Sequence, residues 1–321
     1  MKKTIRPRFT VGRASYYEGD CFEWLRHRRA RSIHGVVTDP PYGLVEYTPR
    51  ELERRRQGNG VWRLPPKFDG YDRAPLPRFT ELTRTQVEAL YDYFLEWGKL
   101  LLPVLAPGAH VMTASNPLLQ HMLLEALHDA GFERRGQIIR LVHTMRGGDR
   151  PKLAHTEFPE TSVMPRSMHE PWVLFRKPLE GSARENLRKW GTGGLRRPSV
   201  DQPFVDVIVS SPAGRSEKAL APHPTLKPQA FMRQVVRAIL PLGRGVVLDP
   251  FAGSGSTLAA AQAVGYRSIG IESDPHSTAI AKTAVRELAR FTPSEISVER
   301  RRKAKAITSG TERQRSRVAV A

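Results

Sequence analysis

The sequence predicts an α/β protein with a Rossmann-like fold, in which helices cover both faces of a mainly parallel central sheet. Short runs rich in valine and isoleucine alternate with longer segments of helical periodicity, as in consecutive βαβ units. One such run leads into a glycine-rich turn, a helix and another apolar run, which is half of a doubly wound nucleotide-binding sheet. Hydrophobic residues make up 40% of the 321 residues, so the chain can form a sizeable core.

The predicted strands are short and apolar, because strands covered on both faces have no polar side. The clearest of them, Gly35 to Thr38, ends at two prolines that favour a rigid turn. We predict strands over residues 35–38, 109–113, 137–143, 171–175, 245–248 and 268–271.

Apolar residues three and four positions apart predict the helices. In the longest of these segments, Pro103 ends or kinks the helix, because proline lacks the backbone donor that a helix interior needs. We predict helices over residues 83–105, 118–130, 229–240 and 256–264.

Three segments show neither the apolar runs of strands nor the periodicity of helices. Residues 46–80 are rich in arginine, proline and glycine and indicate a loop or small insertion. Residues 146–222 are basic and broken by proline and glycine, which predicts a mostly irregular lobe around the one strand above. From residue 293 the chain becomes a basic tail, which is typical of a disordered, solvated end or, more rarely, of an arm that grips nucleic acid.

The charge balance favours a polyanionic partner. Lysine and arginine number 51 against 32 aspartates and glutamates, a net charge of +19, and nucleic acid is the first candidate for such an excess. A solvated basic surface is the alternative. The single cysteine, Cys21, excludes an intramolecular disulfide and fits a reducing cytoplasm. No apolar run approaches the roughly 20 residues that span a bilayer.

The sharpest chemical motif is Asp39-Pro40-Pro41-Tyr42, directly after a predicted strand. The prolines fix the backbone and hold a carboxylate, carbonyl groups and an aromatic ring at the strand end. Asp39 and the Pro40 carbonyl can accept the two N–H groups of an exocyclic base amine, while Tyr42 stacks on the base. A base reaches such a site only by leaving the duplex. An ordinary proline-rich turn capped by aspartate is the alternative for the tetrapeptide alone.

The second motif runs from Asp249 to Thr257 as DPFAGSGST, between an apolar strand and a helix. Gly253 and Gly255 would allow close approach of the backbone to a ligand, and the helix N-terminus would favour a carboxylate. Glu272 ends the next strand, where an acidic residue in doubly wound folds grips a ribose diol. An acid near the start of the following helix is the alternative for Glu272.

These motifs, in this order around a basic segment, resemble the β class of amino-group DNA methyltransferases. His223 to Pro228 (HPTLKP) resembles that family's HPTxKP segment, and Gly19-Asp20-Cys21 resembles its GDC element, in which the aspartate contacts the cofactor adenine. His169-Glu170 resembles a His-Glu element and is expected to support the structure or the substrate lobe. The resemblance extends over about residues 16–284 but is sharp only at these elements.

The resemblance implies a Rossmann-like methyltransferase fold with a small target-recognition lobe, S-adenosylmethionine as cofactor and no metal. Residues 1–145 would form the catalytic half, 146–222 the recognition region, 223–292 the cofactor-binding half and 293–321 the tail. The catalytic residues would be Asp39, Pro40, Pro41 and Tyr42. The cofactor-binding residues would be Asp20, Cys21, Asp39, His223, Thr225, Lys227, Pro228, Asp249, Pro250, Phe251, Ala252, Gly253, Ser254, Gly255, Thr257, Glu272 and Ser273.

In this family aspartate at the first catalytic position is typical of N6-adenine enzymes and serine of N4-cytosine enzymes, so Asp39 favours adenine in double-stranded DNA. The expected DNA-contacting residues of the recognition region are Arg146, Arg150, Lys152, Arg188, Arg196 and Arg197, either reading guanine or gripping phosphates.

The resemblance also suggests a cytoplasmic, nucleoid-associated protein of prokaryotic or phage type, with a homodimer and a cognate restriction endonuclease as possible partners. N4 of cytosine stays open as the alternative target base, and two rival classes of function stay open as well. One is a methyltransferase acting on RNA or protein, although such chains usually have the glycine turn first. The other is a non-catalytic DNA-binding subunit that keeps the fold.

Overall fold

The computed structural model describes residues 6–41, 84–142, 151, 154, 156–223 and 226–293 of the chain. Within these ranges there are nine strands and eight helices. The strands are β1 (Phe9–Val11), β2 (Ala14–Glu18), β3 (Ile33–Thr38), β4 (Leu105–Ala114), β5 (Glu133–Leu141), β6 (His169–Arg176), β7 (Val207–Val209), β8 (Val246–Asp249) and β9 (Arg267–Glu272). The helices are α1 (Cys21–Arg26), α2 (Arg84–Val104), α3 (Gln120–Asp129), α4 (Ala183–Trp190), α5 (Arg215–Leu220), α6 (Gln229–Ile239), α7 (Ser256–Ala263) and α8 (Pro275–Arg290).

All nine strands belong to one sheet with the order β1-β2-β9-β8-β3-β4-β6-β5-β7. The five central strands from β2 to β4 are parallel to one another, whereas β6 runs antiparallel to both of its neighbours. The carboxyl ends of β3, β4, β8 and β9 therefore meet at one edge of the sheet, called here the carboxyl edge. The predicted mainly parallel α/β fold is confirmed.

Helices cover both faces of this sheet, as predicted. Helices α1, α2 and α3 enclose one core cluster, in which Trp97 and Leu101 are fully buried against β3, β4 and β6. Helices α6 and α7 enclose the other, where Phe231 packs on Trp172 with ring centroids 5.2 Å apart. Large aromatic side chains from helix and sheet thus hold each layer in place.

The element predictions are confirmed most closely around β3, β8 and β9, where the apolar runs are continuous. Helix α2 ends one residue after Pro103, and β4 begins at Leu105, earlier than predicted, because Pro107-Gly108 continues the strand instead of breaking it. Strand β5 begins at Glu133, ahead of its predicted start. Seven elements were not predicted: β1, β2, α1, α4, β7, α5 and α8.

The basic range 146–222 is less separate from the core than its composition suggested. Strand β6 lies inside the sheet, between β4 and β5, and β7 forms its last strand. Because β6 is antiparallel to β4, it carries the chain from the carboxyl edge to the opposite, amino edge of the sheet. Helix α4 follows there, and its Asn186 donates to the Pro107 carbonyl near the start of β4. The proposed domain boundaries stay a prediction.

Candidate catalytic and cofactor site

A cleft of about 460 Å³ opens at the carboxyl edge, between the ends of β3, β8 and β9. In doubly wound sheets this is where ligands bind, and the volume lies in the usual range for small-molecule sites. Most of the predicted cofactor-binding residues line it. They are Asp20, Cys21, Asp39, His223, Lys227, Asp249, Pro250, Phe251, Ala252, Gly253, Ser254, Thr257, Glu272 and Ser273.

The remaining predicted residues lie elsewhere. Pro228 precedes α6 as its N-cap residue and Gly255 precedes α7, and neither lines the cleft. Of the catalytic motif, Asp39 and Pro41 line the cleft, whereas Pro40 borders a small neighbouring cavity with Ser115 and Asn116. Thr225 and Tyr42 lie outside the described residues.

Asp249 joins the ends of β3 and β8. Its carboxylate is 3% exposed and accepts hydrogen bonds from Thr38 Oγ1 at 2.6 Å and from the Phe251 N–H at 3.1 Å. Burial raises the pKa of Asp249 to about 6, more than these bonds lower it. The site therefore contains an acid whose ionisation costs free energy at neutral pH.

Glycine is required at two positions of the turn for different structural reasons. Gly253, with φ +51°, faces the cleft, where an added Cβ would come no nearer than 3.9 Å to the His223 ring. Gly255, with φ +87°, faces helix α8, where an added Cβ would lie 2.4 Å from Val285 Cγ2. The missing side chain of Gly255 therefore makes room for α8, and its predicted role in ligand approach stays a prediction.

Glu272 ties the glycine turn to the end of β9. Its Oε2 accepts from the Gly253 N–H at 2.8 Å and its Oε1 from the Asp274 N–H at 2.8 Å. Asp274, not Glu272, caps helix α8 by accepting from Ser277. Glu272 thus presents a carboxylate, oriented by two backbone donors, to the wall of the cleft.

The Gly19-Asp20-Cys21 element lies beside the end of β9, on the wall formed by Glu272. The Gly19 N–H donates to the Glu272 carbonyl at 2.8 Å, and Asp20 Oδ1 caps helix α1 by accepting from the Glu23 N–H at 2.9 Å. Burial raises the pKa of Cys21 to about 12, so the thiol is protonated and is no nucleophile at neutral pH.

Lys227 lines the cleft, but its ammonium group pairs with acidic side chains. Nζ lies 2.8 Å from Asp39 Oδ2 and 3.2 Å from Glu170 Oε1. Its predicted role is direct contact with the cofactor, whereas the geometry connects it first to the carboxylate of the catalytic motif.

Sequence reasoning missed several cleft residues. Tyr93 comes from helix α2, and its ring packs on Phe22 with centroids 5.0 Å apart. Helical periodicity alone gave no signal for it, because apolar and aromatic residues are as frequent on a core-facing stripe as on a ligand-facing one. Gly19, Leu226 and Ser256 also line the cleft; they belong to motifs singled out in the sequence but were not predicted to bind the cofactor. The cleft residues outside every motif are Tyr93, Met232 and Ser277.

The predicted DNA-contacting arginines are not gathered beside the cleft. Arg196 donates to the hydroxyl of Tyr266 at 2.8 Å, and Tyr266 directly precedes β9. The Arg197 carbonyl accepts from Arg237 near the end of α6, and Arg188 lies on α4. All three belong to the amino edge of the sheet, away from the cleft, and their expected contact with DNA stays a prediction. Arg146, Arg150 and Lys152 lie outside the described residues.

The cleft fits a nucleoside cofactor that carries an amino-acid group. It has oriented carboxylates suited to hydroxyl and amine donors, a glycine turn open towards the ligand, and an adjoining helix N-terminus. A second group, Asp39 and Pro41 of the Asp39-Pro40-Pro41 turn, borders the same space. Fold and site together are those of a Rossmann-like transferase, with a cleft at the carboxyl edge of its sheet.

Comparisons with known proteins identify the family. A family model of the N6/N4 methyltransferase type, described as DNA methylase, matches residues 33–283. The chain therefore belongs to the N6/N4 family of amino-group DNA methyltransferases, whose cofactor is S-adenosylmethionine.

Among relatives, the Type II methyltransferase M.HindIII of Haemophilus influenzae is 22% identical over 281 residues, which cover 80% of this chain and 90% of that one. M.ScaI of Streptomyces caespitosus is 44% identical, but over only 64 residues, or 20% of this chain and 21% of that one.

Solved structures share the fold. TTHA0409 of Thermus thermophilus, complexed with S-adenosyl-L-methionine, has a TM-score of 0.53 at 20% identity over 88% of this chain and 96% of that one. The cytosine-N4-specific PvuII DNA methyltransferase has a TM-score of 0.58 at 16% identity over 92% of both chains.

No helix among the described residues is long and apolar enough to cross a membrane.

Proposed function

We propose that the protein methylates N6 of adenine in double-stranded DNA, on a base flipped out of the duplex. One observation carries the proposal: Asp39 and Pro41 of the Asp39-Pro40-Pro41 turn line the same cleft as the glycine turn and Glu272. A base amine held by the first group would therefore lie next to a cofactor held by the second.

The chain's own groups account for the orientation of the amine. Asp39 accepts one N–H of the exocyclic amine and the Pro40 carbonyl accepts the other, which draws the nitrogen towards tetrahedral geometry and localises its lone pair. Tyr42 stacks on the flipped base. S-adenosylmethionine, when bound, supplies an electrophilic methyl group on a sulfonium. The cofactor would give up its methyl group and become a neutral thioether, and the base amine, oriented by Asp39 and the Pro40 carbonyl, would gain the methyl group and lose one proton.

Cofactor binding is assigned to residues at the ends of β2, β8 and β9. Glu272 would accept from the ribose hydroxyls, and Asp20 from the adenine amine. The open backbone at Gly253 would allow the amino-acid group of the cofactor to approach the N-terminus of α7. A carboxylate there is favoured by the unpaired backbone donors of the first helical turn.

Adenine is preferred over cytosine because the first residue of the catalytic turn is aspartate, which resembles the N6-adenine enzymes. The fold does not separate the two bases, since the similar PvuII structure is described as cytosine-N4-specific. N4 of cytosine, whose amine donates the same two hydrogens, is the alternative product.

The decisive experiment measures transfer of a labelled methyl group from S-adenosylmethionine to mixed-sequence duplex DNA, followed by nucleoside analysis. N6-methyladenine is expected. N4-methylcytosine would keep the mechanism and overturn the choice of base, and label in RNA or protein but not DNA would overturn the substrate.

Variants test the assignment of the catalytic carboxylate. Asp39→Ala should abolish transfer while cofactor affinity stays within a few fold. The matched control is Asp201→Ala, which removes an exposed carboxylate between α4 and β7 and should be fully active. Equal activity of Asp39→Ala and the control would refute the mechanism.

Assembly is a separate proposal. A homodimer and a cognate restriction endonuclease are the expected partners, and a cytoplasmic, nucleoid-associated location goes with them. Light scattering of the purified chain with and without duplex DNA would test the dimer.

A further inference from the structure

Lys227 belongs to a continuous chain of ion pairs that leads away from the cleft. Its side chain is 12% exposed and bridges Asp39, at 2.8 Å, to Glu170, at 3.2 Å. Glu170 in turn accepts from Arg140 Nη1 at 2.7 Å and from Trp172 Nε1 at 3.0 Å. Asp39, Lys227, Glu170 and Arg140, called here the ion chain, thus connect the end of β3 to β5 through β6.

Arg140 fixes the far end of the ion chain. Its side chain is 5% exposed, Nε donates to Ser210 Oγ at 3.0 Å, and Nη2 donates to the Ser211 carbonyl at 2.9 Å. The guanidinium carbon also lies 5.3 Å from the centre of the Phe231 ring. A planar guanidinium bonded through all three nitrogens and stacked on a ring has one orientation, so the Glu170 carboxylate that it holds has one as well.

The ion chain is charged throughout its buried part. Burial works against the charge of Lys227, but Asp39 and Glu170 outweigh it and raise the pKa of the ammonium. Burial likewise opposes the charge of Glu170, but Lys227 and Arg140 lower the pKa of this carboxyl. Buried ion pairs contribute little net stability, because desolvation offsets their attraction. Their effect here is to fix orientation at the cleft.

We propose that Glu170 and Lys227 are positioning residues for methyl transfer: Lys227, held by Glu170, fixes the carboxylate of Asp39 against the amine of the target base. The inference rests on the proposed function and deepens it. Neither residue needs to contact the reacting atoms. Glu170 acts through Lys227, and Lys227 acts through Asp39.

The test uses the full chain and duplex DNA that carries its methylation site, with kcat, KM and cofactor affinity measured separately. Glu170→Gln keeps the size of the side chain and removes its charge. It should lower kcat about 10²-fold, a loss that a misplacement of about 1 Å can cause, while cofactor affinity changes less than about twofold. Glu170→Asp keeps the charge and should recover part of the loss.

A double substitution tests whether the two residues act as one unit. Lys227→Met should lower kcat as far as Glu170→Gln, and the double variant should be no worse than Lys227→Met alone, because the effects of coupled residues are not additive. Multiplied losses in the double variant would mean that the two residues act separately and would overturn the inference.

The matched control is Glu133→Gln. Glu133 pairs with Arg176 across the same two strands, β5 and β6, at the amino edge, with Nη2 and Oε2 2.5 Å apart. Removing this ion pair perturbs the same pair of strands at the opposite end, without touching the ion chain, so kcat should not change.

The pH profile separates positioning from simple structural damage. The charged groups that face Lys227 are Asp39, Glu170 and Arg140. Without the charge of Glu170, one attractive partner is lost and Arg140 still repels, so Lys227 should lose its proton at lower pH. The alkaline decline of kcat in Glu170→Gln should therefore shift to lower pH. A merely structural defect would lower kcat at every pH without shifting the profile.

The outcomes separate the two hypotheses. If the unsubstituted chain transfers no methyl group to DNA, the proposed function fails and the inference fails with it. If it is active and Glu170→Gln keeps its kcat and pH profile, the inference alone is wrong. Circular dichroism verifies the folding of each variant. If Glu170→Gln does not fold, kcat and the pH profile are measured for Lys227→Arg instead, which keeps the charge but moves it.

Discussion

Replacing Gly255 by alanine should destabilise the protein, even though Gly255 does not line the cleft. Its φ of +87° lies in the left-handed region, which costs a residue with a Cβ about 1–2 kcal/mol. The new Cβ would also lie 2.4 Å from Val285 Cγ2 on helix α8, and such overpacking typically costs about 1–3 kcal/mol. The free energy of unfolding should therefore fall by about 2–5 kcal/mol, a large share of the roughly 5–15 kcal/mol of a typical domain.

A second substitution should recover only the steric part. Val285→Ala removes Cγ2, and the next atoms met by the Cβ of residue 255 are Ala281 Cβ at 3.6 Å and Val285 Cβ at 3.8 Å, which are ordinary contacts. The double variant should therefore lose less stability than the sum of the two single variants, by about 1–3 kcal/mol. The backbone cost should persist, because alanine at position 255 keeps the left-handed conformation.

Urea unfolding followed by circular dichroism and tryptophan fluorescence measures these differences. Gly253→Ala is the matched reference, because its φ of +51° is also left-handed but its Cβ would meet no atom within 3.9 Å. It should lose only about 1–2 kcal/mol of stability and mainly weaken cofactor binding. The reasoning is refuted if Gly255→Ala is no more destabilising than Gly253→Ala, or if Val285→Ala recovers none of the loss.

Three further predictions concern buried polar groups. Tyr16→Phe removes the hydroxyl that donates to the Gly253 carbonyl at 2.5 Å, so both stability, by about 1 kcal/mol, and cofactor affinity should fall in unfolding and titration experiments. Burial raises the pKa of Asp249 to about 6 in the fold, so its charged form destabilises the fold above that pH. Asp249→Asn should therefore raise the free energy of unfolding at pH 8 by roughly 2–3 kcal/mol. This gain should fade between pH 6 and 4, and a constant gain at all pH values would contradict the cause. Burial lowers the pKa of His110 to about 3, so the fold favours the neutral side chain. The resulting stabilisation is complete above the ordinary pKa of 6.5 and is lost as pH falls towards 3. His110→Leu should therefore reduce the loss of stability at acid pH in unfolding titrations.

The parts of the fold that the sequence predicted are those with local causes. Strand β3 is a run of apolar residues that stops at two prolines, and β8 is a run that stops at a glycine turn. Both patterns follow from the burial of a strand on two faces and from backbone restrictions of proline and glycine. The cleft could be predicted for the same reason, since its main residues follow directly on these strand ends.

The features that the sequence did not predict have long-range causes. The strand β6 was predicted, but not its direction, and its antiparallel course is what takes Arg188, Arg196 and Arg197 to the amino edge. Strand direction depends on the partner strand, which has no mark in the local sequence. The same holds for the ion pair of Lys227 with Glu170, because these two residues are 57 positions apart in the sequence and meet only in the folded sheet.

Helix α8 packs against strand β1, where Phe9 belongs to the same cluster as Ala281 and Val285. The first and last described elements are therefore neighbours, and β3 and β8 pair at the centre of the sheet although they are far apart in sequence. A chain joined between α8 and β1 and reopened in the exposed stretch between α4 and β7 would keep every cleft residue in place, yet its glycine turn would precede its Asp-Pro-Pro turn. Motif order is therefore a property of connectivity, and kinship among such enzymes is better judged by which strand end carries each group.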